Sequence, residues 1–338
     1  MLNVESVVEN KCGQLLMKAI TFGASDIHLV PTSNHFNIHF RKYGKLFHAG
    51  NLPFEHGNRM ISYFKFKSSL DISEKRKPQS GSFQKEVQNQ LYSFRVSTLP
   101  SVFQKESLVI RVLLQNATHP ISSLCFYQNS TEKLLNLVSN RQGLLLFCGA
   151  TGSGKTTSMY SLINYCSDTL ARHVISLEDP VESSQENLLQ IQVNERAGVT
   201  YAAGLKAILR HSPDVIMIGE IRDQETANIA IEAALSGHLV LSTIHAKDTV
   251  NCIYRLMDLG ITIEELRQSL IGIVAQCLIQ IGHHDERKAL FEILSDIHLY
   301  EAITATMRGE EYCLPEQETL IYQRNSIEVN GQHVHSSI

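Results

Sequence analysis

Residues 4 to 22 place Val8, Cys12, Leu15, Leu16 and Ala19 at helical spacing, and the pattern then changes to strand-like alternation. Ala24 to Leu29 begins a strand, and His35 to Phe40 sets Phe36, Ile38 and Phe40 on one face. Tyr43-Gly44 is a turn signal, after which Leu46-Phe47 continues the pattern. Further strands are predicted at Gly81 to Val87, Leu91 to Ser97 and Leu108 to Leu113. Residues 1–113 therefore read as an α+β domain with much antiparallel sheet. Polar residues and a proline mark 114–123 as a linker.

Beyond the linker the rhythm is different. Short, wholly apolar runs alternate with helical stretches, as in a mainly parallel sheet with crossover helices over 124–338. The runs are Gly143 to Cys148, Val174 to Leu177, Leu188 to Val193, Val215 to Ile218 and Leu239 to Thr243. Thr157 to Cys166 reads as a helix, Thr200 caps one through about Arg210, and Asp223 caps one through Leu235. The chain past Gly282 is polar and reads as mostly helical.

The first of these runs leads into Gly149-Ala150-Thr151-Gly152-Ser153-Gly154-Lys155-Thr156, followed by Thr157. This is the G-x-x-x-x-G-K-T phosphate loop, set between a strand and a helix as its mechanism requires. Glycines let backbone N–H groups close around phosphate oxygens, and the helix N-terminus adds partial positive charge. Lys155 would reach the β- and γ-phosphates of a bound nucleotide, and the Thr156 hydroxyl would bind Mg²⁺. An ordinary glycine turn is the competing reading, and the strand–loop–helix context argues against it.

Hydrolysis needs further groups. Glu178-Asp179 and Glu220 follow two apolar strands, and strand C-terminal ends in such sheets point at the ligand crevice. Carboxylates there hold hydrated Mg²⁺ or orient water, although Asp179 before Pro180 also suits a turn cap. His238 and His245 bracket the strand Leu239 to Thr243; each is either a γ-phosphate donor or a hydrogen-bonded crevice histidine. Arg95, Arg111, Arg210 and Arg222 offer planar forks matched to phosphate, or else surface salt bridges.

Composition narrows the partners. The formal net charge is −4 and the longest basic run is Lys75-Arg76-Lys77, so nothing argues for direct nucleic-acid binding. Seven cysteines without a C-x-x-C pair suit a reducing cytoplasm. Cys277, His283, His284 and Cys313 do not follow a zinc spacing. There is no visible signal peptide, and no apolar run nears the roughly 18 residues that span a bilayer.

Taken together, four boxes resemble the motor ATPases of type II secretion, type IV pili and related systems. They are the loop from Gly149 to Thr157, ISLEDPVE (Ile175 to Glu182), PDVIMIGEIRD (Pro213 to Asp223) and GHLVLSTIHA (Gly237 to Ala246). ASDIHLVP (Ala24 to Pro31) and FRVSTLP (Phe94 to Pro100) are also similar. The resemblance implies a RecA-like ATPase domain preceded by a small PAS-like domain, working as a homo-hexameric ring. It implies that Glu178 activates water, that Glu220 is the Walker B glutamate and a partly water-mediated Mg²⁺ partner, and that His245 is the histidine-box residue. It further implies that Arg95 and Arg111 reach the nucleotide, and that an inner-membrane platform protein holds the ring at the membrane's cytoplasmic face.

RKPQSGSF (Arg76 to Phe83), KESLVIRV (Lys105 to Val112) and AGLKAILRHSPD (Ala203 to Asp214) resemble the competence-pilus branch, which implies pseudopilus assembly for DNA uptake. Ser212, Ala246-Lys247 and Ala150 depart from common family residues, and one extra residue sits between Arg95 and Arg111. The four-cysteine module of many relatives is missing between Gln280 and Asp285, which implies no zinc. A retraction motor, a DNA-translocating ATPase and a non-hydrolysing scaffold share the same loop and remain rival readings.

Overall fold

The computed structural model describes residues 4–102, 105–115, 119–185, 187–281 and 287–329. The chain divides into two compact units, Met1–Ala117 and Thr118–Ile338.

In the first unit, helix α1 (Val4–Phe22) precedes strands β1 (Asp26–Pro31), β2 (His35–Lys42) and β3 (Lys45–Pro53). Helix α2 (Phe54–Lys67) and strands β4 (Gln79–Val87), β5 (Gln90–Pro100) and β6 (Glu106–Leu114) follow. The strands form one antiparallel sheet in the order β3-β2-β1-β6-β5-β4. Tyr43 and Gly44, both at positive φ, make the tight β2–β3 turn. Phe36, Ile38 and Phe40 are buried as their alternation requires, in one core with Cys12, Leu15, Leu16 and Ala19 of α1. Helix α2 lies outside the pattern read from the sequence. Its buried face carries Lys65, whose ammonium donates to Glu106 at 2.7 Å and to the Glu74 carbonyl at 2.6 Å. A charge buried in this way conceals the helical period.

The second unit opens with the short helix α3 (Ile121–Leu124) and helix α4 (Gln128–Ser139). There follow β7 (Gly143–Cys148), α5 (Lys155–Asp168), β8 (Val174–Glu178), β9 (Leu189–Gln192), α6 (Tyr201–Ile208), β10 (Val215–Ile218), α7 (Gln224–Leu235) and β11 (Leu239–Thr243). Helices α8 (Thr249–Asp258) and α9 (Ile263–Ser269), strands β12 (Leu270–Gln280) and β13 (Arg287–Ser295), and helices α10 (Asp296–Arg308) and α11 (Leu320–Val329) complete it. The sheet order is β13-β12-β7-β11-β10-β8-β9, parallel throughout except for β12–β13. Every residue of β7, β8 and β10 is buried, because helices cover both faces; this is why these strands read as unbroken apolar runs. Thr200 and Asp223 cap α6 and α7, accepting from Ala203 and Thr226 backbone N–H groups at 3.1 and 2.8 Å. Helix α6 ends at Ile208 and tightens into a 3₁₀ turn, Leu209–His211.

Among the described residues the tail past Gly282 is mostly helical, in α10 and α11, but before them it carries a strand absent from the sequence reading: β13 pairs antiparallel with β12 from Gly272↔Ser295 to Gln280↔Arg287. Glu292 interrupts its apolar run, but its carboxylate is buried and accepts from the Thr249 hydroxyl at 2.7 Å, so the strand remains in the core. The linker is also shorter than 114–123. Leu114 closes β6, and Ile121 is buried in α3; residues 116–118 lie outside the described residues. So do Gly282 to Asp285, on which the zinc reading depended. Among the described residues no helix is long and apolar enough to cross a membrane.

Candidate active site

Four adjacent parallel strands carry the predicted chemistry at their C-terminal ends. In sheet order β7 leads into the phosphate loop, β11 is followed by His245, β10 by Glu220, and β8 ends in Glu178. Parallel pairing brings these four ends to one edge of the sheet, the edge where open α/β folds bind ligands.

The loop is shaped by backbone that only glycine adopts at low cost. Gly149, Gly152 and Gly154 have φ of 133°, 82° and 86°. A Cβ on Gly149 would also stand 2.5 Å from the Gln276 carbonyl oxygen, so the close approach of β12 fixes that residue. Gln276 Nε2 donates to the Ser153 carbonyl at 2.8 Å and braces the loop from below. The Lys155 ammonium turns back onto the carbonyls of Gly149 and Ala150 at 2.8 and 3.0 Å. Burial pushes it below its ordinary pKa, against the opposing pull of Cys148, Glu220 and Glu182. Ser153 Oγ is buried with no hydrogen-bond partner among the described residues, as expected of a cradle built for a polar group. Thr156 lies in the first turn of α5, half-buried, and Thr157 is exposed.

Glu178 is buried and takes three side-chain hydrogen bonds. Ser176 Oγ and Gln190 Nε2 donate to Oε1 at 2.7 and 3.2 Å, and the Tyr160 hydroxyl donates to Oε2. Glu220 sits at the crevice mouth between two cationic or potentially cationic groups. Arg222 pairs with Oε1, while His245 Nε2 is 3.2 Å from Oε2. The bond to Glu220 raises the Arg222 pKa further above its ordinary value. Arg222 Nη1 is also 3.9 Å from Asp179, linking the two acidic boxes. The Thr243 hydroxyl donates to the Gly219 carbonyl at 2.7 Å and ties the β11 end to the β10 end.

Other predicted residues lie elsewhere. Arg95 and Arg111 are in the first unit, directly opposite each other on β5 and β6. His238 precedes β11 at the far end of the sheet, its Nδ1 3.0 Å from the Ala233 carbonyl oxygen. Arg210 is exposed in the 3₁₀ turn after α6. Tyr160, Ser176, Gln190 and Gln276 join the site beyond the residues predicted from the sequence. Polar side chains inside apolar strands were the available signal for Ser176 and Gln276, since buried polar groups require partners.

Residues 2–329 match the family model described as Type II/IV secretion system protein. The chain belongs to this family of secretion-system ATPases. Within it, the chain is a homologue of the competence proteins ComGA. It is 46% identical to that of Bacillus subtilis over 280 residues, covering 83% of this chain and 77% of the relative. It is 40% identical to that of Halalkalibacterium halodurans over 317 residues, covering 89% and 91%. Among solved structures, the pilus retraction motor PilT with bound ADP aligns with a TM-score of 0.71 at 25% identity, covering 93% of this chain and 92% of that one.

Proposed function

We propose that this protein hydrolyses ATP to power assembly of a competence pilus-like fibre for DNA uptake. The observation that carries this reading is the delivery of Lys155, His245, Glu220 and Glu178 to one sheet edge by four neighbouring parallel strands. Gly149 to Thr157 bind the phosphates of ATP through loop N–H groups, Lys155 and the α5 N-terminus. Glu178 orients and activates the attacking water, and His245, beside Glu220, donates toward the γ-phosphate.

The hydroxyl of Thr156 and the carboxylate of Glu220 are hard oxygen donors that suit Mg²⁺, Glu220 partly through water. Bound there, Mg²⁺ would neutralise charge on the β- and γ-phosphates. For Glu220 to serve it, Arg222 must give up that carboxylate. Arg95 and Arg111 are assigned the neutralisation of phosphate charge. The working form is a homo-hexamer, cytoplasmic and held at the inner face of the membrane by a platform protein, without direct nucleic-acid contact. Gene deletion, scored for both surface fibre and DNA uptake, tests this reading. Loss of both supports it; loss of uptake with a normal fibre contradicts the assembly role.

A further inference from the structure

Two neighbouring strands present a set of polar side chains beneath the helix that begins in the phosphate loop. Ser176 lies opposite Gln190 across β8 and β9, and Glu178 follows Ser176 by one strand period. Val174, on that same side, belongs to the core under α5, whereas Ile175 and Leu177 pack on the opposite face. Helix α5 contributes Tyr160 and Asn164, one turn apart and therefore on one helix face.

These residues form a continuous network. The Tyr160 hydroxyl donates to Glu178 Oε2, while Ser176 and Gln190 donate to Oε1. Gln190 Nε2 also donates to the Ser183 carbonyl at 3.0 Å, and Gln190 Oε1 accepts from the Gln185 backbone at 2.7 Å. Asn164 Nδ2 closes the loop by donating to Gln185 Oε1 at 3.0 Å. Tyr160, Ser176, Glu178 and Gln185 are each more than nine-tenths buried. Burial, ahead of the nearby Glu178 charge, pushes the Tyr160 phenol up, so that it stays protonated as a donor. Packing a helix on a sheet needs no such network, and a half-satisfied one would destabilise the interface. Its centre is a carboxylate to which three donors assign one orientation.

We propose that Tyr160 is a positioning residue for Glu178, through which the helix that starts at Lys155 sets the orientation of the water-activating carboxylate. The inference rests on the reading of Glu178 as that group. Any rotation or shift of α5 on filling the loop would move the Tyr160 hydroxyl and with it the carboxylate, linking phosphate binding to readiness for hydrolysis.

Tyr160→Phe keeps the ring and removes only the donor. Its steady-state phosphate release against ATP, with fluorescent ATP-analogue affinity and Tm measured in parallel on the assembled full chain, tests the proposal. The expected result is a fall in kcat of about tenfold, with KM and analogue affinity within about twofold of the parent, in line with loss of an orienting hydrogen bond. Gln190→Ala, which removes another donor from the same carboxylate, lowers kcat less. The double variant loses less than the product of the two, because both act on one group. An unchanged kcat in Tyr160→Phe, or losses that multiply and track a weakened affinity, would overturn the proposal. Glu178→Gln in the same assay separates the two levels. If it is inactive while Tyr160→Phe turns over like the parent, the positioning role alone fails. If Glu178→Gln itself turns over like the parent, the reading of Glu178 fails and the proposal with it.

Discussion

Arg95 stands directly across from Arg111 on neighbouring antiparallel strands, and Asp26 faces Arg111 from the strand on its other side. Two like charges opposed on a sheet repel, and Arg111 Nε donates to Asp26 Oδ1 at 3.0 Å, which offsets that repulsion. Asp26→Asn should therefore lower the stability of the protein by about 1 kcal/mol, a modest figure because the Arg111 side chain is 54% exposed. Adding Arg95→Ala should restore part of that loss. Denaturant melts of the single and double variants check this; strictly additive effects would contradict it.

If both arginines also serve the nucleotide, Arg95→Ala and Arg111→Ala should each lower ATP hydrolysis by the assembled protein by about tenfold or more. ATP-analogue binding should change much less. Phosphate release with binding measured in parallel distinguishes these effects, and hydrolysis at the parent rate in both variants would remove the arginines from the site.

Gly149 and Gly152 predict unequal costs. Both have positive φ, which disfavours a side chain by roughly 1–2 kcal/mol. Gly149→Ala also drives its new methyl to 2.5 Å from the Gln276 carbonyl, whereas among the described residues nothing lies within 4 Å at Gly152. Gly149→Ala should lower Tm clearly more than Gly152→Ala does. Equal shifts would contradict the close approach of β12.

Lys155→Ala should abolish detectable ATP-analogue binding while leaving Tm without nucleotide nearly unchanged. The carbonyls of Gly149 and Ala150 that Lys155 caps lie at a rim where water can replace it. Isothermal titration with ATP and a melt without it check both halves.

His28 predicts a pH dependence in the first unit. Burial holds its imidazole below the ordinary pKa of about 6.5, with Asp26 opposing and Arg41 and His39 adding to the shift. The unfolded chain therefore binds more protons than the folded one below about 6.5, so this contribution is complete above that pH and is lost as pH falls. Stability measured from pH 7.5 down to 5 should decline less steeply in His28→Gln than in the parent. Parallel profiles would contradict the assignment.

The sequence made the site's framework legible because parallel strands covered on both faces leave unbroken apolar runs, each with its chemistry at the C-terminal end. Gly143 to Cys148, Val215 to Ile218 and Leu239 to Thr243 all appear where their patterns put them. Elements whose buried faces carry a charge were hidden, as with Lys65 in α2 and Glu292 in β13. The supporting residues were hidden for another reason. Tyr160 and Gln190 gain their meaning from Glu178, and Gln276 from a loop far away in sequence; no local period records such contacts.

On the proposed function, the residues at this sheet edge hydrolyse ATP, with Glu178 activating the water. Steady-state phosphate release by the assembled parent and Glu178→Gln, with ATP binding measured in parallel, tests it most directly. The account predicts turnover in the parent and a loss of at least about a hundredfold in Glu178→Gln, within the range general-base catalysis contributes, with ATP still bound. Equal and negligible release by both proteins, with ATP bound by both, would contradict it.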